Sequence, residues 1–225
     1  HFKLSFGYNY QYARNNLQLN NGDNTFSEIG QLTGMHATDW SWSPLIFDFD
    51  HDGHKDFFIS NGIPKRMNDI DYISFMSGAD QNQKFKFNKA EQDDLSVAER
   101  MPEIKLPNKF FLNKGDLQFQ DLKEQVQNNQ PSYSNGAAYA DFDGDGDLDI
   151  LVNNIGDGPF IYRNLATENT DAQDYLSLQL QGPARNPSAI GARVLVYKSD
   201  SLLQFENHPV RAFQSSTSHN LHLGL

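Results

Sequence analysis

Two nine-residue segments concentrate the side chains that could do chemistry: DFDHDGHKD, from Asp48 to Asp56, and DFDGDGDLD, from Asp141 to Asp149. Each places carboxylates at positions 1, 3, 5 and 9 and glycine at position 6. The first holds Asp48, Asp50, Asp52 and Asp56 around Gly53; the second holds Asp141, Asp143, Asp145 and Asp149 around Gly146. Four carboxylates so close repel one another unless a cation sits among them. Hard oxygen ligands in a tight loop suit Ca²⁺, which accepts about six to eight oxygens in irregular geometry, better than Mg²⁺, which keeps its waters in an octahedral shell. The glycine permits the turn that folds the last carboxylate back. Position 7, His54 or Asp147, would add a backbone carbonyl, which completes two expected Ca²⁺ sites. An EF-hand would need Glu at position 12, where Ile59 and Val152 stand instead.

The other chemistry-bearing residues argue more weakly. His51 and His54 could hold zinc, but imidazole is softer than Ca²⁺ prefers, so both side chains are expected to face solvent. His36, Asp39 and Ser41 are close in sequence, yet a hydrolytic triad is defined by geometry, and no G-x-S-x-G elbow is present. Carboxylates neutralised by a cation make poor general acids, so no catalytic residue is assigned. Trp40 and Trp42 alternate with Ser41 and Ser43, which places both rings on one side of a strand, as core.

The elements that must position the loops repeat. Asp48 and Asp141 lie 93 residues apart, and the same offset brings Phe57–Ser60 onto Ile150–Asn153. Upstream, LQLNNGDNTFSEIG (Leu17–Gly30) corresponds to FFLNKGDLQFQDL (Phe110–Leu122), with the turn chemistry Asn-x-Gly-Asp, at Asn20–Asp23 and Asn113–Asp116, closing a hairpin. Each unit reads strand, turn, strand, linker, strand, acidic loop, strand, and the runs Phe57–Ile59 and Ile150–Val152 predict strands buried on both faces. Four-strand units with acidic loops point to propeller blades. Between the units, Asn88 to Met101 has a capping box and helical spacing until Pro102, Ile70, Ile73 and Met76 behind Asn68 suggest a second helix, and Gly78 to Lys89 reads as an exposed loop. This segment is expected as an insertion between blades. Beyond about Thr170, alternating stretches at Leu176–Leu180, Ala192–Tyr197, Val210–Phe213 and His219–Leu225 predict a small antiparallel β module. The organisation is thus 1–62 first repeat, 63–108 helical insertion, 109–170 second repeat and 171–225 terminal module: an all-β partial propeller with a helical insertion and an appended β module.

Composition narrows the partners. The 225 residues carry 18 Lys and Arg against 29 Asp and Glu, a net charge of −11, which disfavours nucleic acid as a ligand. The absence of cysteine removes disulfides, thiolate metal sites and thiol nucleophiles. No apolar run approaches the length needed to span a bilayer, and the first residues lack a signal-peptide pattern. A start at His1 and a stop after an apolar stretch at Leu225 suggest a segment of a longer chain.

The two acidic loops resemble the calcium loops of FG-GAP/VCBS repeats, the blades of integrin-α-type β-propellers. AIGARVLVY (Ala189–Tyr197) and FQSSTSHNLHLGL (Phe213–Leu225) resemble the ASPIC/UnbV module that follows such repeats in cartilage-acidic-protein-like proteins. Together with DWSWSP (Asp39–Pro44) and NGAAYADFDGDGD (Asn135–Asp147), they are similar to exported VCBS-repeat proteins of Bacteroidetes-type bacteria. The resemblance implies calcium-stabilised blades and an extracellular or cell-surface location, outer-membrane-associated or periplasmic in a Gram-negative bacterium. It also implies a scaffold that binds a protein or glycan on the propeller face. Such propellers commonly have about seven blades, so remaining blades of the same longer chain are expected partners. The alternatives are a carbohydrate-active hydrolase or lyase with structural calcium and an accessory subunit of an outer-membrane complex.

Overall fold

The computed structural model describes residues 2–9, 12–66, 68–77, 99, 101–168, 173–198 and 201–224. After a four-residue helix α1 (Phe2–Ser5), β1 (Gln18–Asn20) and β2 (Phe26–Glu28) form the first hairpin. Its turn closes through short side chains that capture nearby backbone donors: Gly22 N donates to Asn20 Oδ1 at 2.9 Å and Thr25 N to Asp23 Oδ1 at 3.0 Å. The second hairpin, β5 (Lys109–Asn113) with β6 (Phe119–Asp121), repeats the device, Gly115 N donating to Asn113 Oδ1 at 3.0 Å. The acidic loops join β3 (Ser41–Phe47) to β4 (Asp56–Asn61) and β7 (Ser134–Ala140) to β8 (Asp149–Asn154), and β9 (Phe160–Tyr162) follows β8.

Sheet and sequence repeat are out of phase. One blade is the antiparallel sheet β3-β4-β5-β6, which takes β3 and β4 from the first repeat and β5 and β6 from the second. The next blade is β7-β8-β9, and the β1-β2 hairpin forms a sheet of its own. The segment after β4 therefore connects two neighbouring strands of one blade rather than separating blades, because Phe57 pairs with Phe111 and Phe58 with Phe110 across it. Within it, α2 (Ile70–Met76) starts one residue later than the sequence suggests: Asp69 Oδ1, not Asn68, accepts the free N–H groups of Asp71 and Tyr72. The helix buries Tyr72 and leaves Ile70 77% exposed. The loop expected over Gly78–Lys89, and all but Glu99 and Met101 of the helix expected over Asn88–Met101, lie outside the described residues.

The main core lies between the two blades. Leu45, Phe47, Phe49, Phe58 and Phe110 of one meet Ala137, Leu148, Ile150 and Val152 of the other. A second cluster, Met35, Ile59 and Phe111 with Leu17, Phe57 and Phe119, covers the opposite face of the first blade. β4 is accordingly buried on both faces, as its apolar run predicts. β8 is not: Leu151 is 37% exposed, because no second cluster covers that face among the described residues. Trp42 departs from expectation too. It is only half-buried, donates Nε1–H to Gly62 O at 2.6 Å and packs its ring 4.7 Å from that of Phe213 in the terminal module.

The terminal module is two ribbons, β10 (Tyr175–Leu178) with β13 (Leu221–Gly224) and β11 (Arg193–Lys198) with β12 (Ser201–Glu206). β12 replaces the strand expected at Val210–Phe213, where Val210 makes a single bridge to Ser216. Phe58, fully buried and in edge contact with Phe110 at 5.0 Å, is the test of this core. Phe58→Ala should cost about 3–5 kcal/mol in urea unfolding and Leu151→Ala less than about 1 kcal/mol; equal losses would contradict a core placed between the blades.

Candidate metal centre

Both acidic loops fold the same way. Gly53 (φ 87°) and Gly146 (φ 97°) take the left-handed conformation, which turns their N–H groups toward the first aspartate: Gly53 N donates to Asp48 Oδ2 at 2.9 Å and Gly146 N to Asp141 Oδ2 at 3.2 Å. Oxygens of Asp48, Asp50 and Asp52 come within 4.8 Å of one another, and so do those of Asp141, Asp143 and Asp145. Two groups of three hard oxygen donors result, each able to hold a cation.

The ninth-position carboxylates lie outside these trios and brace the backbone. Asp56 Oδ2 accepts Phe49 N at 2.6 Å, and its Oδ1 accepts Asn113 N, at the end of β5, at 2.7 Å. Asp149 repeats the pattern with Phe142 N at 3.2 Å and Asn164 N at 2.8 Å. Asn164 also donates its side-chain amide to Phe49 O at 2.7 Å, tying the second blade to the first loop. Asn113, which the sequence marks only as a turn residue, ends β5, and Asn164, which carries no sequence signal of its own, lies two residues beyond β9.

The two trios differ electrically. In the first loop Asp48 and Asp50 are pushed above the ordinary carboxylate range by burial, and in Asp50 also by repulsion from Asp52 and Asp48. Asp48 Oδ1 and Asp50 Oδ1 are buried with no hydrogen-bond partner, an arrangement that a bound cation would satisfy. In the second loop, Asp145 is held below its ordinary range, first by the Asp147 N–H and also by Arg163.

Position 7 also splits. His54 is exposed, its N–H donating to Asp52 Oδ1 at 2.8 Å. The Asp147 carboxylate is fully buried and accepts Thr167 N and Oγ1, both at 2.9 Å from Oδ2. His51, expected to face solvent, is instead fully buried. Its Nε2 lies 2.8 Å from His222 Nε2 and 3.7 Å from Asp147 Oδ1, and its ring packs on Tyr175. His51 holds this place at φ 65°, where the second loop uses Gly144; a non-glycine residue there is strained, and the contacts of its side chain offset that strain. Gly224 of β13 passes so close that a Cβ would overlap Asp48 Oδ2 and the His51 carbonyl. The terminal module thus seats on the first loop, a contact that lies 171 residues away along the chain.

The triad residues do not assemble. Asp39 pairs with the Arg66 guanidinium at 2.6 Å, Ser41 Oγ hydrogen-bonds Thr38 Oγ1 at 2.6 Å, and His36 Nδ1 is buried without a partner.

Two shifted groups give a pH signature for metal-free protein. Burial pushes Asp56 up to about 7, so folding takes up a proton there and stability should rise as pH falls from 8 to about 6.5. Burial, then the neighbouring His51, push His222 down to about 4, so below about 6.5 the unfolded state gains the proton that the folded state refuses. Asp48, Asp50 and Asp149, also raised by burial, act in the same direction as Asp56, so thermal melts in EDTA should rise on acidification with a shallower slope below about pH 6.5, and His222→Gln should steepen that lower limb; an unchanged profile in the variant would rule this out.

A family model for the FG-GAP-like repeat matches residues 5–59 and 87–152, and one for ASPIC and UnbV matches residues 182–225. The first ends in β4 and β8, so it spans both acidic loops, and the second takes in β11, β12 and β13. No curated protein matches the chain. With both loops inside a repeat model that covers just over half of its residues, the chain belongs to the FG-GAP-like repeat family and carries an ASPIC/UnbV module at its C-terminal side.

Proposed function

We propose that this chain is a calcium-stabilised β-propeller scaffold of a secreted or cell-surface protein that binds a protein or glycan. The observation that carries the metal assignment is the pair of buried carboxylate oxygens, Asp48 Oδ1 and Asp50 Oδ1, left without hydrogen-bond partners inside a trio of carboxylates. Hard anionic oxygens favour Ca²⁺ over softer ions. Asp48, Asp50 and Asp52 hold one ion and Asp141, Asp143 and Asp145 the other, with Asp56 and Asp149 closing the loops and His54 and Asp147 offering backbone carbonyls. Calcium here acts on the fold: it relieves carboxylate repulsion and pins the segments on which the terminal module seats. Among the described residues no helix is long and apolar enough to cross a membrane.

A binding role is supported by an open groove of about 300 Å³ between the second blade and the terminal module, where Asn135, Asn153, Gln214 and Ser215 present amide and hydroxyl groups beside Leu151 and Phe213. Amides and hydroxyls around an apolar floor suit a polar, uncharged ligand such as a glycan. Turnover of a glycan by the purified chain would replace the scaffold reading with an enzyme.

The metal assignment predicts that Ca²⁺ at about 100 times its dissociation constant stabilises the fold by about 2.7 kcal/mol per site, each filled site raising the melting temperature by about 5–10 °C over that in EDTA. Asp48→Asn should remove the first site's share of this gain. A midpoint that does not respond to Ca²⁺ in metal-stripped protein would overturn the assignment.

A further inference from the structure

The second acidic loop differs from the first in having a cation of its own. Arg163, one residue beyond β9, donates Nε–H to Asp143 Oδ2 at 2.7 Å and Nη2–H to Asp145 Oδ2 at 3.2 Å, spanning two of the three carboxylates of that trio. The same Nη2 reaches Glu168 Oε1 at 2.8 Å. Asp141, the third carboxylate, accepts the Gly144 and Gly146 N–H groups. Among the described residues the second loop has no buried carboxylate oxygen without a partner, whereas the first has two. The first loop's own lysine, Lys55, carries its ammonium over the Phe205 ring at 4.3 Å; its charge acts on Asp48 from a distance, but among the described residues no ion pair joins it to the trio.

We infer that Arg163 is a built-in counter-ion of the second loop that competes with the metal, so that the two loops form a graded pair: a tight site at Asp48, Asp50 and Asp52 and a weaker one at Asp141, Asp143 and Asp145. The inference rests on the calcium reading above. Without the ion, the guanidinium relieves the repulsion of Asp143 and Asp145 and keeps the loop folded. When the ion enters, it takes the same oxygens, and the bond to Glu168 gives the displaced Arg163 an anchor clear of them. Among the described residues no cation hydrogen-bonds the first trio, on which Lys55 and Lys114 act only from a distance, so more of that loop's stability depends on the ion itself. A unit charge about 5 Å from a divalent ion in water-like surroundings weakens its binding by about tenfold, and this is the scale of the difference expected.

Calorimetric titration of the metal-stripped 225-residue chain with Ca²⁺ tests this. The wild type should show two unequal sites, and Asp48→Asn should remove the tighter one. Arg163→Gln should tighten the weaker site by about tenfold, and Arg163→Lys, which keeps the charge but not the fork, should tighten it less. In EDTA, Arg163→Gln should also melt lower than the wild type. This opposition, weaker fold without metal and tighter metal binding, is what an Arg163 that merely braced the loop would not produce, since its loss would weaken both. Two sites with Arg163→Gln constants within twofold of the wild type would overturn the inference and leave the calcium reading standing; no Ca²⁺ binding at all would overturn both.

Discussion

A single buried carboxylate at the end of each acidic loop holds two pieces of backbone at once, and the architecture hangs on it. Asp56 takes the N–H of Phe49 from its own loop and the N–H of Asn113 from the next strand, and Asp149 does the same with Phe142 and Asn164. Backbone donors at such a junction have no ladder partner, and leaving them buried and unpaired would cost about 1–3 kcal/mol each. The carboxylate satisfies both, and in doing so sets where the loop begins its turn and where the following strand ends. Loop shape and blade assembly are therefore one problem with one solution, used twice.

That solution brings a charge problem with it. The turn that presents N–H groups to Asp48 and Asp141 also crowds three carboxylates together, and burial raises the cost of keeping them ionised. The two loops meet it differently. The second has Arg163 across its carboxylates, while the first lies deeper with unpartnered oxygens; the terminal module touches both, Gly224 against Asp48 and Tyr175 against Gly146. Motifs that match at every acidic position 1, 3, 5 and 9 have acquired different surroundings, because each loop's neighbours come from another part of the chain.

The terminal module completes the first loop. Tyr175 and His222, stacked 4.7 Å apart, face His51; Gly224 runs against Asp48; and Phe213 covers Trp42. His51 accepts a left-handed backbone that the second loop gives to Gly144, a strain that is sustained only by contacts its side chain makes. Module and blade are packed through the same residues that shape the candidate metal site, so order in one bears directly on order in the other.

Much of this was legible in the chain itself. The loops, their glycines, the Asn-x-Gly-Asp hairpins, the strands and the all-β class follow from residues within about a dozen positions of one another, where turn geometry and side-chain alternation act. The repeat also implied that the pattern occurs twice. What the residues did not reveal is which strands share a sheet: a repeat has the same period wherever its start is placed, so the pairing of β4 with β5 across the intervening segment was hidden. Nor could local pattern show that Asp56 and Asp149 brace backbone outside the trios, that Leu151 stays exposed, or that Trp42 and His51 meet the terminal module. Asn164 reaches Phe49 across 115 residues, and His51 reaches His222 across 171. The sequence by itself determined the ligand chemistry and the local turns, because these depend on atoms a few bonds apart. Only the tertiary structure decided which carboxylates are buried, which are paired and what covers them, because desolvation and ion pairing depend on whichever distant segment folds against the site.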